Sequence, residues 1–303
     1  MTTPDTALPP LPDPPDSPAR RLSGALHRRP AIRLGGLLAA PLGWMVLAYL
    51  GSLVLFLITS FWTVDSFSGN LITQPSLSNY VEIFTGEVYR TIALRTVGMA
   101  ALVTVTTVLL ALPIAFYMAK VASARTRGAL VVSILLPLWS GYLVKVYAWR
   151  LILSQGGVLN GVLEPLGLHG PGYGEVAVWL VETYLWLPYM IIPIFAGLER
   201  VPGSLLEASA DLGGRSLTTF RRVVLPLVLP AVVAGSIFTF SLTLGDYITP
   251  TLVSNTKFMG NVIYDFLGVA GNQPLAAAYA MVPVVIMIAY LLVARRLGAF
   301  EAL

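Results

Sequence analysis

The chain has 303 residues, of which 56% are hydrophobic and 11% charged, and its formal net charge is +4. Soluble domains usually carry about 25% charged residues, so a soluble fold of this size could not cover its surface with polar groups. Repeated apolar runs of about 20 residues instead indicate a multi-pass membrane protein. The chain has no cysteine, which excludes disulfides and thiolate chemistry within it.

The N-terminal 33 residues differ in composition from the rest. Residues 1–19 contain seven prolines and only acidic charges, and five arginines follow between 20 and 33. Such a segment cannot bury a core, so we expect a disordered, proline-rich and then basic cytoplasmic tail over 1–33. A cleaved secretory signal would begin with basic residues and a short apolar run, which this start lacks.

Six apolar segments follow, and each is long enough to cross ~30 Å of hydrocarbon as a helix. They cover 34–61, 91–119, 128–153, 176–198, 223–245 and 275–294. The sequence therefore predicts an all-α membrane protein with six transmembrane helices, and it assigns 34–303 to this membrane domain.

Lysine and arginine predict the orientation of these helices. With the N-terminus in the cytoplasm, fourteen of the nineteen lysines and arginines fall on cytoplasmic segments. Both termini are then cytoplasmic. This placement accounts for the basic balance, so we expect no nucleic-acid partner.

A polar cytoplasmic loop over about 199–222 separates the fourth and fifth segments. Ser204 and Glu207 have the spacing of a capping box, which predicts the start of a short helix. Gly213 and Gly214 predict its end. The face of this helix is made of small residues, which suits docking into the groove of a partner. A helix lying on lipid would carry bulkier apolar residues and more lysine.

The same loop carries a family resemblance. From Glu207 it reads EASADLGGRSLTTFRRVVLPLVLP. Permease subunits of ATP-binding-cassette (ABC) importers have Glu-Ala-Ala, three residues, Gly, nine residues, Ile, one residue and Leu-Pro. The chain keeps both gaps, with Ser209 for the second Ala and Val223 for Ile. It resembles this family, which implies the type I importer permease fold and a coupling helix that docks in a cleft of the ATPase. The coupling residues would be Ser204, Glu207, Ala208 and Gly213.

Three further stretches are similar to the first permease subunit of spermidine/putrescine importers. They are LVKVYAWRLILSQGGVLNGVL, YLWLPYMIIPIFAGLERVP and LGDYITPTLVSNTKFMGNVI. The similarity runs over about 77–296, with a family core over about 91–296. It implies a bacterial inner-membrane protein that translocates a polyamine such as spermidine or putrescine. Another small solute, whether amino-acid-like, anionic or a metal complex, stays open as cargo.

The partners follow from this resemblance. They are an ABC ATPase dimer, a second, non-identical permease subunit, membrane lipid and an extracytoplasmic solute-binding protein. The chain has no G-x-x-x-x-G-K-[ST] motif, so we expect ATP and magnesium on the ATPase, no cofactor here and no enzyme activity. A secondary transporter would instead show internal repeats with paired broken helices, and no repeat is visible. A structural scaffold would not need the capped cytoplasmic helix.

Two carboxylates near aromatic residues are candidates for the substrate pathway. Glu182 lies in the fourth apolar segment with Trp186 and Tyr189, and Asp246 with Tyr247 ends the fifth. An intramembrane carboxylate usually faces a cavity or a partner, and aromatic rings also bind cations. Two other interpretations stay open. Glu182 could be an interfacial or inter-helix pairing residue, and Asp246 could cap the segment that follows it.

Two cations in the third segment, Lys145 and Arg150, would repel a polyamine. We expect them to pair with carboxylates or to mark the outer membrane boundary, and Arg95 to behave similarly. His169 has no second ligand nearby in the sequence, so no metal site is predicted.

Overall fold

The computed structural model describes residues 30–65 and 67–296. The predicted disordered tail lies outside these residues, except that the last four positions of 1–33 already belong to a helix. Contacts within the chain divide it into two units, one up to Phe56 and one from Leu57 onward.

Over residues 34–56, the N-terminal unit is helical and apolar on all sides. Helix α1 spans Pro30–Met45, a π-helical turn follows at Val46–Leu50, and α2 spans Gly51–Thr59. Large apolar side chains such as Trp44 are exposed along its length. A helix that is hydrophobic all round suits a membrane span, and Leu34–Thr59 has the length and composition for one.

The second unit holds the other elements. Strands β1 (Thr63–Val64) and β2 (Leu71–Ile72) form a short antiparallel hairpin. The helices that follow are α3 (Ser78–Thr85), α4 (Glu87–Phe116), α5 (Ala124–Trp139), α6 (Tyr142–Leu153), α7 (Val158–Leu163), α8 (Glu175–Glu199), α9 (Gly203–Asp211), α10 (Ser216–Thr219), α11 (Leu225–Gly245), α12 (Ile248–Val253), α13 (Met259–Gly268) and α14 (Gln273–Arg296). Two π-helical turns, Tyr117–Val121 and Phe220–Val224, extend α4 and lead into α11.

Helices α4, α8 and α11 pack against one another and form the centre of this unit. Small residues bring their backbones close. A Cβ on Gly197 of α8 would lie 2.6 Å from the Cβ of Ala231 on α11, and one on Gly235 would lie 2.8 Å from the Met190 sulfur. Helices in membranes lack a hydrophobic force between them and associate through such close packing.

Five of the six predicted spans are confirmed as long, apolar helices. The candidate spans are Leu34–Thr59, Glu87–Val121, Glu175–Glu199, Ser216–Gly245 and Gln273–Arg296. Each covers its predicted segment to within a few residues, apart from the fourth of these, which includes the short polar approach to α11.

The third predicted span, 128–153, is wrong as a single continuous helix. It consists of α5 and α6, which meet at an angle of 96°. Ser140 and Gly141 are both extended, with ψ of 142° and 141°, and so interrupt the helical hydrogen bonds. Pro137, in the last turn of α5, has no N–H and weakens the same turn.

Contacts at both ends of α4 and α8 show that these two helices run in the same direction. Near their starts, Arg95 Nε lies 3.0 Å from Glu175 Oε1. Near their ends, Lys120 Nζ donates a hydrogen bond to the Val201 carbonyl over 2.7 Å. The chain between them must therefore return to the opposite side. We conclude that α5 and α6 together make one bent crossing and not a re-entrant loop.

Candidate functional site

The polar loop predicted between the fourth and fifth spans contains the short helix α9. Its predicted cap at Ser204 is wrong. The helix begins at Gly203, Pro202 occupies the capping position, and no side chain caps it. Because Pro202 has a fixed φ and no N–H, the helix starts directly after it, and Ser204 falls inside the first turn, where its hydroxyl cannot cap.

The predicted end of α9 is confirmed. Gly213 has a φ of +75°, a conformation that favours glycine. The Gly213 amide donates to the Ala210 carbonyl and the Gly214 amide to the Ser209 carbonyl, each over 2.8 Å. These two bonds form a Schellman motif, which satisfies the last carbonyls of the helix.

Gly214 and Ser209 fix α9 to the next helix, which sequence reasoning missed. The Ser209 hydroxyl lies 2.8 Å from that of Thr219 at the end of α10. A Cβ on Gly214 would lie 2.6 Å from both the carbonyl oxygen and the hydroxyl of Ser209. The glycine pair followed by Ser/Thr residues was the available signal, but only the tertiary contact reveals the partner.

The four predicted coupling residues all lie on the surface of this loop: Ser204, Glu207, Ala208 and Gly213 are exposed. Beside them, Leu212 and Leu217 expose 89% and 68% of their surface. A shallow groove of about 350 Å³ runs between α9 and α10, lined by Leu205, Ala208, Ser209, Leu212, Gly214, Thr218, Arg222 and Val223. The loop thus offers a mixed small and apolar surface for docking.

Two cations attach this loop to the turn between α4 and α5. Besides the Lys120 bond to Val201, Arg127 Nη1 lies 3.3 Å from Glu199 Oε1 at the end of α8. Arg127 Nη2 also donates to the Ala119 carbonyl over 3.4 Å. A displacement of α9 would therefore pull on the end of α4 as well as on α8.

The predicted pathway carboxylate Asp246 lies at the junction of α11 and α12 and is 9% exposed. Its Oδ1 accepts hydrogen bonds from the Ile248 and Thr249 amides over 2.9 and 3.2 Å. Its Oδ2 accepts one from the Tyr142 hydroxyl over 2.5 Å. The capping interpretation is thus correct for Oδ1, while Oδ2 is turned towards α6.

Glu182 lies in the first third of α8 and is 1% exposed. Its Oε2 has no hydrogen-bond partner among the described residues. The Asp246 carboxylate is near enough to act on Glu182 electrostatically. A buried carboxylate oxygen without a donor is costly, which keeps Glu182 as a candidate for contact with a group from outside the chain.

The aromatic residues near Asp246 form two groups of ring contacts. The Tyr142 ring stacks on Trp186 with centroids 5.9 Å apart and an interplanar angle of 10°. Tyr189 meets Trp186 edge-on at 6.0 Å, and Tyr247 stacks on Tyr264 at 4.8 Å. The Trp186 Nε1 is buried and has no hydrogen-bond partner among the described residues.

Members of both aromatic groups line an open groove of about 330 Å³. Its lining consists of Tyr142, Trp186, Ser241, Leu242, Gly245, Asp246, Tyr247 and Ile248. The structure thus brings Trp186, Asp246 and Tyr247 to one surface. Glu182 is buried and outside the lining, and Tyr189 reaches the groove only through Trp186. Sequence reasoning missed Tyr142, because neither the break before it nor its contact with Asp246 shows in a local pattern.

The basic residues of the spans differ in their surroundings. Arg95 pairs with Glu175, as expected. Lys145 and Arg150 form no ion pair within 30–65 and 67–296, so the predicted carboxylate pairing is not found for them. The Arg150 guanidinium instead lies 6.0 Å from the centre of the Tyr173 ring.

The chain is similar to known membrane transport proteins. Residues 84–299 match the family model described as "Binding-protein-dependent transport system inner membrane component". The chain is 43% identical to the inner membrane ABC transporter permease protein YdcU of Escherichia coli (strain K12), covering 95% of this chain and 98% of the relative. It is 30% identical to the spermidine/putrescine transport system permease protein PotB of Haemophilus influenzae, covering 80% and 86%.

A solved structure has the same fold. It is a bacterial alginate ABC transporter in complex with an alginate pentasaccharide-bound periplasmic protein, and the TM-score is 0.72. The match covers 93% of this chain and 98% of that chain at 15% identity, which supports the fold alone.

Proposed function

Since this chain belongs to the family of binding-protein-dependent transport system inner membrane components, we propose that it carries polyamines through the pathway at Asp246. The chain is a multi-pass permease subunit of an ABC importer in the inner membrane, and it has no catalytic role of its own. The similarity to PotB, a permease of spermidine/putrescine transport, supports a polyamine as the cargo.

The observation that carries the proposal is a buried carboxylate beside stacked aromatic rings on one groove. Asp246 provides negative charge, and Trp186 and Tyr247 provide ring faces within the same lining. Ammonium groups bind to carboxylates by charge-assisted hydrogen bonds and to aromatic faces by cation–π attraction. Glu182, one helical turn before Trp186 on the same helix and outside this lining, is proposed as a second acidic group of the pathway.

The remaining partners belong to the same proposal. Helix α9, with Glu207, Ala208 and Gly213 exposed, would be the coupling helix that docks on an ABC ATPase dimer holding ATP and magnesium. An extracytoplasmic solute-binding protein would deliver the cargo, as a periplasmic protein binds the related alginate transporter. A second, non-identical permease subunit would complete the pore.

We also propose that α9 and both termini face the cytoplasm. The parallel course of α4 and α8 places the polar loop and the basic α4–α5 turn on one side, and basic segments favour the cytoplasmic side. A reporter that is active only in the cytoplasm should therefore be active when it is fused after Ala302. The same reporter inserted between Leu168 and His169 should be inactive. An inactive C-terminal fusion would contradict the orientation.

Uptake by the reconstituted complex tests the cargo. The complete importer with its binding protein should accumulate radiolabelled spermidine or putrescine in proteoliposomes when ATP is supplied. An amino acid and an oxyanion, each added in tenfold excess, should not compete. Uptake of the oxyanion in place of the amines would contradict the polyamine proposal, because the acidic groove would then have no role in recognition.

A further inference from the structure

Tyr142 contacts both groups that a cationic cargo would use here, the Asp246 carboxylate and the Trp186 ring. Its hydroxyl donates to Asp246 Oδ2, the oxygen that is not engaged in capping α12. Its ring lies nearly parallel to Trp186 in an offset stack, with the ring centres 5.9 Å apart. The hydroxyl is held further by the Thr249 hydroxyl, 2.8 Å away.

We propose that Tyr142 is a built-in substitute for the cargo, which closes a cation site at Asp246 and Trp186 until an ammonium group displaces it. The identity of the displacing group as an ammonium rests on the proposed function. The existence of the closed site rests on the geometry alone. It needs only the hydrogen bonds of the Tyr142 hydroxyl with Asp246 and Thr249 and the stacking of its ring on Trp186.

The phenol and an ammonium can alternate at this oxygen during the transport cycle, according to whether cargo is present. An empty site would leave a buried carboxylate oxygen without a donor, and the phenol removes that cost. The phenol bond to the carboxylate is already charge-assisted, and an ammonium at the same oxygen adds the attraction between two opposite charges. The cargo can therefore displace the phenol when it arrives, and the phenol can return after the cargo leaves.

The position of Tyr142 in the chain allows this movement. It is the first residue of α6, directly after the two extended residues of the 96° bend between α5 and α6. A change of backbone angles at Ser140 and Gly141 would rotate the start of α6 without breaking hydrogen bonds within either arm. Short non-helical joints of this kind are the usual hinges of domain and helix motion.

The absence of cysteine from the chain makes a direct accessibility test possible. Ser241 is exposed and lines the same groove, so Ser241→Cys introduces the single thiol of this subunit. Its labelling in the reconstituted complex without ATP is followed by the mass of this subunit. The probes are two methanethiosulfonate reagents, one with a cationic aminoethyl group and one with an anionic sulfonatoethyl group.

Tyr142→Phe in the Ser241→Cys background keeps the ring and removes the donor. The loss of one hydrogen bond to a carboxylate shifts the closed site towards the open one, so labelling by the cationic reagent should become about tenfold faster. The rate of labelling by the anionic reagent should increase less. Thr249→Val removes only the second partner of the phenol and should give a smaller increase. Tyr147→Phe, an exposed tyrosine on the same helix, should leave the rates unchanged.

The cargo is tested separately by protection. Spermidine should slow labelling of the introduced thiol, and about tenfold less spermidine should suffice in Tyr142→Phe. Labelling of Tyr142→Phe and Thr249→Val at the parent rate would overturn the role of Tyr142. Faster labelling without protection by spermidine or putrescine would support the closed site and count against the polyamine cargo.

Discussion

Replacement of Gly213 by valine is expected to abolish most transport while the importer complex still assembles. Gly213 has a φ of +75° at the end of α9, and a β-branched residue is a strained outlier there. The strain would break the Schellman motif and detach α9 from its fixed angle. ATP-driven spermidine uptake should fall at least about tenfold, since even in an enzyme a misplacement of about 1 Å caused by a distant mutation can cost about 100-fold in rate. ATP hydrolysis should continue.

The matched control for this change is Gly203→Ala. Gly203 lies at the opposite end of α9, has no positive φ and has open space where a Cβ would go. It should transport normally. A further variant, Gly214→Ala, places a Cβ 2.6 Å from the Ser209 carbonyl and should resemble Gly213→Val. Normal coupling of uptake to ATP hydrolysis in Gly213→Val would show that α9 is not the coupling helix.

Removal of the charge from Asp246 or Glu182 should also reduce uptake strongly. Asp246→Asn retains an oxygen that can accept from the Ile248 and Thr249 amides, so the start of α12 should be preserved. A hydrogen bond to a charged group contributes about 1.5–3 kcal/mol, which predicts roughly a tenfold or greater loss of spermidine uptake. Glu182→Gln keeps the buried shape and should reduce uptake through the loss of attraction to the cation.

Asp265→Asn is the control for these variants. Asp265 is an acidic residue on α13 that pairs with Lys257 at 2.7 Å, and both side chains are largely exposed. Such surface pairs contribute little to stability, so uptake and assembly should match the parent. If Asp246→Asn and Glu182→Gln both took up spermidine at the parent rate in an assembled complex, neither carboxylate would belong to the cargo pathway.

The apolar spans could be predicted from the sequence because length and composition suffice to define them. The bend in the third span could not be predicted from the sequence. Pro137 is followed by a break, whereas Pro188 and Pro193 lie inside a continuous α8. Proline in a membrane helix is tolerated when neighbouring groups satisfy the freed carbonyls, and that depends on packing that the sequence does not display.

The site shows the same division between local and tertiary information. The glycine end of α9 was predictable, because a local conformation requires it. The Tyr142 bond to Asp246 joins residues 104 positions apart, so no local pattern indicates it. The failed cap at Ser204 has a local cause: Pro202 starts the helix two residues earlier than a serine cap would.

The bend between α5 and α6 also has a consequence for how the protein is made. The 16 residues of α5 reach about 24 Å and the 12 of α6 about 18 Å, and a membrane core is ~30 Å thick. Helix α6 additionally carries Lys145 and Arg150, and each such cation costs about 2.5–3.5 kcal/mol near the centre of a bilayer. Neither arm is therefore a good substrate for the translocon. Because α6 packs against α8 and α12, we expect this crossing to reach its packed position after the chain up to Val253 has been synthesised.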